Sequence, residues 1–149
     1  MDTDSIFMRE ALAEGRKALP TCLPNPPVGC VLVAEGRVIA RGFTQAPYLQ
    51  HAEAMALSQL LGSAAGVCAY VTLEPCSFHG RTPSCAHALL SAGIPRVVVG
   101  ILDPDPRNNG AGVQVLVGGG VEVVTGVLET EAHWDLDPYL ALAANRGEG

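Results

Sequence analysis

The sequence predicts a single three-layer α/β/α domain, with a mixed sheet of about five strands covered by helices on both faces. Three observations predict it. Two β-rich runs separated by Ala34-Glu35-Gly36 read as a hairpin, so the sheet begins antiparallel. Beyond residue 52, helical and strand-like segments alternate, as they do where strands are joined by crossover helices. The 149 residues, 48% apolar, are enough for one buried core and are expected to form one domain spanning 1–149.

The elements follow in order. Over residues 5–19, Ile6, Met8, Leu12 and Leu19 mark a mostly apolar helical face, with Asp4 as the expected cap and Pro20 as the stop. The turn Pro24-Asn25-Pro26-Pro27 leads into the hairpin strands at 28–33 and 37–42. A helix is expected over 52–61. The strand at 67–73 runs straight into Glu74-Pro75-Cys76, which puts Cys76 at a strand end. A helix over 84–92 ends at Gly93, a strand follows at 96–101, and Asp103-Pro104-Asp105-Pro106 opens a polar loop. The last third reads as a short helix at 112–117, a strand at 121–124 and a helix from 129 to about 145. Gly118-Gly119-Gly120 reads as a turn, because no strand leads into it and no Lys-Ser or Lys-Thr follows, as a phosphate cradle requires.

Composition restricts the partners. The net charge is −6, and the lysines and arginines are scattered without a basic stripe, so a nucleic-acid footprint is missing and a small-molecule substrate is favoured. No secretory apolar core and no run of ~18 apolar residues is present, so a cytoplasmic protein without membrane attachment is expected. Five cysteines, an odd number, point to thiols and a metal rather than a disulfide framework. Cys22, Cys30 and Cys68 read as small buried side chains, and His87 and His133 as solvated or hydrogen-bonded histidines.

The chemistry is concentrated in His51-Ala52-Glu53, Pro75-Cys76 and Cys85. One histidine and two cysteines can hold a tetrahedral zinc ion with one position open, and a glutamate two residues past the histidine can move protons beside it. Both groups are expected at helix N-termini, where the local field favours thiolates. Eight residues separate the cysteines, whereas the general deaminase signature has two. The extra segment is expected to bulge over the metal and to present His79, Arg81 and Thr82 to a substrate.

Several stretches carry a family resemblance: Pro24-Asn25-Pro26-Pro27-Val28-Gly29-Cys30-Val31, His51-Ala52-Glu53-Ala54, Thr72-Leu73-Glu74-Pro75-Cys76-Ser77, Gly80-Arg81-Thr82-Pro83, Ala92-Gly93-Ile94 and Asp103-Pro104. Together they resemble the deaminase domain of the bacterial riboflavin-pathway pyrimidine deaminase/reductase, over nearly the whole chain. The resemblance implies a cytidine-deaminase-like fold, one zinc ion on His51, Cys76 and Cys85, and Glu53 as the proton shuttle. It also implies a diaminopyrimidine ribosyl phosphate that loses its ring amine as ammonia, with Asn25 orienting it. Arg81 and Thr82 suit the phosphate, since a guanidinium offers phosphate oxygens a planar fork.

The departures are specific. Thr44 stands where that family usually has a histidine, and Asp105 stands where it usually has an asparagine, beside Asp103 on the sugar-phosphate side. The carboxylate of Asp105 is expected to repel a phosphate unless Arg81 or a bound cation offsets it. Those two positions motivate an alternative, the deamination of a different small aminopyrimidine, nucleoside or related heterocycle. A nucleic-acid deaminase lacks its basic surface here, and a purely structural zinc site would not need Glu53. A homodimer or tetramer is expected by analogy. With no second nucleotide-binding half in the sequence, any reductase step is expected to belong to another protein.

Overall fold

Glu35 and Gly36 take left-handed φ values of 52° and 74°, the conformations that let a tight turn follow the twist of the strands it joins. They connect β1 (Gly29–Ala34) to antiparallel β2 (Arg37–Phe43). The structure, a computed structural model, describes residues 2–78 and 84–143, with side chains up to residue 140. The remaining elements are α1 (Thr3–Arg16), α2 (Ala52–Leu57), β3 (Cys68–Leu73), α3 (Cys85–Ala92), β4 (Arg96–Ile101), α4 (Ala111–Gly118), β5 (Glu122–Thr125) and α5 (Glu129–Ala143).

The five strands form one sheet in the order β2-β1-β3-β4-β5. β1 is antiparallel to β2 and β3, whereas β3, β4 and β5 run parallel, so the sheet is mixed as expected. Successive strand residues point to opposite faces, and the burial follows that alternation. Val31, Val33, Tyr70 and Val98 pack with Met8 and Ala11 of α1. Cys30, Leu32, Ala69, Val71, Val97 and Val99 share the larger core with Ala52 and Ala56 of α2 and Ala86 and Leu89 of α3. α5 lies beside α1, tied by the Arg16–Asp135 ion pair at 2.9 Å.

Several boundaries differ from the sequence reading, each for a physical reason. Asp2, not Asp4, caps α1, accepting the Ser5 N–H at 3.0 Å. Asp4 is instead claimed by the Tyr70 hydroxyl at 2.7 Å and the Arg96 guanidinium at 2.9 Å. α1 ends at Arg16, and turns occupy the residues before Pro20. Ile6 is exposed, off the buried stripe. α2 stops at Leu57, and Leu61, placed inside that helix by its apolar character, is 92% exposed. The three glycines after Val117 end α4 and turn the chain, as expected.

The start of α2 lies directly on β2. A Cβ placed on Gly42 would come within 2.1 Å of the Ala52 carbonyl oxygen, so only glycine lets the helix that carries the site approach this closely. Gly42→Ala is therefore expected to destabilise the protein by about 1–3 kcal/mol, read as a lower urea midpoint with an unchanged m value.

Candidate metal and catalytic centre

The site is assembled at two helix starts and one strand end on one side of the sheet. His51 is the N-cap of α2, in an extended conformation, and its side chain makes no capping bond to its own helix. Glu53 follows in the first turn and is buried. Cys76 lies just past the end of β3, and Cys85 is the first residue of α3. Ser84 caps α3 by accepting the His87 N–H, and its hydroxyl also meets the His87 ring, which accounts for that histidine. The Cys85 N–H, left without an intrahelical partner at the helix start, donates to the Cys76 sulfur at 3.2 Å.

His51 Nδ1 lies 3.4 Å from Cys85 Sγ and 4.0 Å from Cys76 Sγ, and the three donor atoms all fall within 4.8 Å of one another. A tetrahedral zinc ion with ordinary bond lengths holds nitrogen and sulfur ligands roughly 3.6 Å apart. One nitrogen and two sulfurs at this spacing fit zinc and leave a fourth position to a small ligand. His51, Glu53 and Cys76 border an open cavity, walled also by Asn25, Thr44, Glu74, Phe78, Asp103 and Asp105.

The electrostatics support proton chemistry. The Cys85 thiol, followed by the His51 ring and the Cys85 N–H, holds the Cys76 thiol down at about 4, so Cys76 carries negative charge. Cys85, which shares its proton with that thiolate and is buried, is pushed well up. Burial, reinforced by the Cys76 charge, raises the Glu53 carboxyl to about 7, where it can both accept and give a proton near neutral pH.

Asn25 sits in the Pro-rich turn, where its N–H donates to the Cys22 carbonyl at 2.8 Å. Its side-chain Oδ1 is buried without a partner among the described residues, on the cavity wall. Thr44 also reaches that wall. Its hydroxyl donates to the Pro26 carbonyl at 2.9 Å and accepts the Val28 N–H at 3.0 Å, so it holds in place the turn that carries Asn25. Asp103 accepts the Asp105 N–H and the Asn108 amide, and burial raises its carboxyl.

Asp105 has a counter-charge that the sequence reading did not name, the guanidinium of Arg107. Both Asp105 oxygens accept from the Arg107 guanidinium, at 2.6 to 3.1 Å. His79, Arg81 and Thr82 lie outside the described residues. His133 pairs with Asp137 on α5. All five cysteines are free; Cys22 and Cys30 are buried, whereas Cys68 is only half-buried, near the Arg96 guanidinium.

Two further residues of the site went unassigned in the sequence. The buried Glu74 accepts from the N–H groups of Asp103 at 3.1 Å, Gly110 at 3.0 Å and Val113 at 3.0 Å, joining the end of β3 to the start of α4. Its signal was an acid closing an apolar strand, combined with a helix whose glycine N-cap has no side-chain acceptor. The fully buried Asn108 donates to the Pro75 carbonyl at 3.2 Å and so ties the same loop to the metal-binding segment. Glu74→Ala leaves three N–H groups without their acceptor and is expected to lower stability by about 2–3 kcal/mol in urea titration.

A buried carboxyl set against three potential zinc donors is an arrangement suited to hydrolysing a carbon–nitrogen bond, that of the zinc-dependent deaminase class. Within that class the chain belongs to the family described as the cytidine and deoxycytidylate deaminase zinc-binding region, which residues 1–101 match. It is 45% identical over 132 residues to the riboflavin biosynthesis protein RibD of Aquifex aeolicus, a match covering 89% of this chain and 37% of that protein. Acinetobacter baumannii RibD superposes with a TM-score of 0.89 at 40% identity, over 96% of this chain and 40% of that one. A Thermotoga maritima structure described as a diaminohydroxyphosphoribosylaminopyrimidine deaminase/5-amino-6-(5-phosphoribosylamino)uracil reductase gives a TM-score of 0.84 at 37% identity, over 93% and 40%. The expected fold and zinc site are thereby borne out. The chain spans well under half the length of these relatives.

Proposed function

We propose that this domain deaminates the diaminopyrimidine ribosyl phosphate of riboflavin biosynthesis, replacing the ring amine with oxygen and releasing ammonia. The observation that carries the reading is the buried Glu53 carboxyl set beside the His51, Cys76 and Cys85 donors at one cavity. The similarity to the RibD proteins selects the substrate class.

One zinc ion held by His51, Cys76 and Cys85 supplies Lewis acidity that makes water a nucleophile near neutral pH. Glu53 takes a proton from the attacking water and gives it to the ring nitrogen. The second proton of that water then passes through Glu53 to the amine, so the leaving group is neutral ammonia and the carboxylate is regenerated. Asn25 Oδ1 accepts an N–H of the ring substituents, which satisfies its otherwise orphaned acceptor. Arg81 and Thr82 receive the phosphate.

The substrate is a small molecule. The domain's charge of −6 disfavours nucleic acid, and among the described residues no helix is long and apolar enough to cross a membrane. We place it in the cytoplasm as a homodimer or tetramer. The test is a substrate panel on the zinc-loaded protein. Ammonia is expected from the diaminopyrimidine ribosyl phosphate, and release from cytidine or guanine alone sinks the assignment. Arg81→Ala is expected to raise KM for the phosphorylated substrate about tenfold or more with kcat little changed.

A further inference from the structure

The three zinc donors are not held alike. His51 and Cys85 open α2 and α3, so helix bonds fix their backbones: the His51 carbonyl accepts the Met55 N–H at 3.0 Å, and Ser84 caps the helix that Cys85 begins. Cys76 lies in neither a helix nor a strand. The Glu74 N–H still bonds to the Ile101 carbonyl of β4 at 2.9 Å, but Pro75 has no N–H and offers only its carbonyl by which its backbone can be held. That carbonyl accepts Nδ2 of Asn108 at 3.2 Å. The same nitrogen donates to Asp103 Oδ2, on the cavity wall, at 3.3 Å. Two acceptors around one end of the amide decide which end is nitrogen, because the reverse orientation would set an oxygen against both. α4 closes over the same carbonyl, since a Cβ on Gly112 would come within 1.9 Å of the Pro75 oxygen.

Resting on the zinc site of the proposed mechanism, we propose that Asn108 is a positioning residue of the metal centre: by holding the Pro75 carbonyl it fixes the backbone that aims Cys76 at the ion. The Pro75 carbonyl and the Cys76 Cα belong to one planar peptide unit, so a bond to that oxygen restrains the rotation that would swing the Cys76 side chain. Asn108 is fully buried, and its Oδ1 has no partner among the described residues, which is a cost to folding. What the amide supplies in return is its nitrogen, set between the residue before a zinc donor and an acid of the cavity wall. Groups that orient a ligand from behind are worth roughly 10–100-fold in metal affinity. A bond to the adjoining peptide rather than to the sulfur itself belongs at the lower end of that range.

The test measures the zinc affinity of the metal-free protein by competition with a chromogenic chelator. It also records the visible spectrum of cobalt(II) bound in zinc's place, which reports how the ligands are arranged. Asn108→Leu, close in size but without a donor, and the smaller Asn108→Ala are each expected to bind zinc about tenfold more weakly than the wild type and to shift the cobalt bands. Asn108→Ser, which keeps a donor on a shorter side chain, should fall between, and it carries the test should the other two fail to fold. Tyr70→Phe is the contrast: it removes the hydroxyl bond to Asp4 on the α1 face of the sheet, so it should lower the urea midpoint and leave zinc affinity and cobalt spectrum unchanged. Asn108 variants with a lower urea midpoint but wild-type zinc affinity and cobalt spectrum overturn the proposal, by showing that Asn108 only packs its loop. A wild-type protein that binds no zinc fails the three-donor reading itself, and this assignment falls with it.

Discussion

Glu53→Gln is expected to lower ammonia release by about 10²–10⁴-fold while about one zinc per chain is retained. The amide has nearly the shape of the carboxyl and none of its ability to ferry protons, and Glu53 is not one of the three donors. The same substitution should stabilise the zinc-depleted protein, in a defined pH window. Below about 4.5, its ordinary value, the carboxyl is protonated in both folded and unfolded chains and the variant gains nothing. Between 4.5 and about 7 the folded protein keeps a proton that the unfolded chain has released, so stability falls as pH rises. Above about 7 the whole cost is present, roughly 3 kcal/mol from a shift of this size. Urea midpoints at pH 4.5 and 7.5 check it: the variant should match the wild type at the lower pH and exceed it at the higher. Unchanged turnover would remove Glu53 from the mechanism, and equal midpoints at pH 7.5 would mean that burying this carboxylate carries no cost. A stability gain paired with lost activity is the pattern of a residue retained for chemistry rather than for folding.

The parts of the site that were legible in the sequence are those whose chemistry is local. His51 and Glu53 lie two residues apart, and Pro75-Cys76 closes a strand whose apolar run marks it. The hairpin turn and β4 were legible for a similar reason, because turn chemistry and a block of β-branched residues belong to the segment itself. What escaped depends on distant partners. Asp4 looks like a cap, but its partners Tyr70 and Arg96 lie 66 and 92 residues away, and they leave the capping to Asp2. Glu74 answers N–H groups 29 to 39 residues further on, so the acid at the strand end does not by itself show which groups it serves. The end of α2 followed the same logic: apolar Leu61 prolongs the pattern, but no neighbouring element covers it. Arg107 is the exception, since it lies two residues from Asp105 and an acid–arginine fork across a tight turn is a local signal.

Cys85→Ser is expected to reduce bound zinc to a small fraction of one per chain and to abolish deamination. Its thiol sits at the start of α3, 3.4 Å from His51 Nδ1, and a hydroxyl there is a far weaker zinc ligand than a thiolate. The three donors come from the start of α2, the end of β3 and the start of α3, so a bound ion links three segments that otherwise meet through packing. Chelation should therefore lower the melting temperature of the wild type, and chelator should have almost no effect on Cys85→Ser. Cys22→Ala serves as the contrast, because Cys22 is buried away from the donor set and should keep both zinc and turnover. The proton balance gives a second readout. Cys76, held down at about 4, already carries its charge at neutral pH, whereas Cys85 is pushed well up and must lose its proton on ligation. Zinc binding near pH 7 should then release about one proton, and affinity should rise with pH by about tenfold per unit. Calorimetry in buffers of different ionisation enthalpy measures that release directly. Full zinc occupancy in Cys85→Ser would demote Cys85 to a packing residue at a helix start, and with it the three-donor reading of the site.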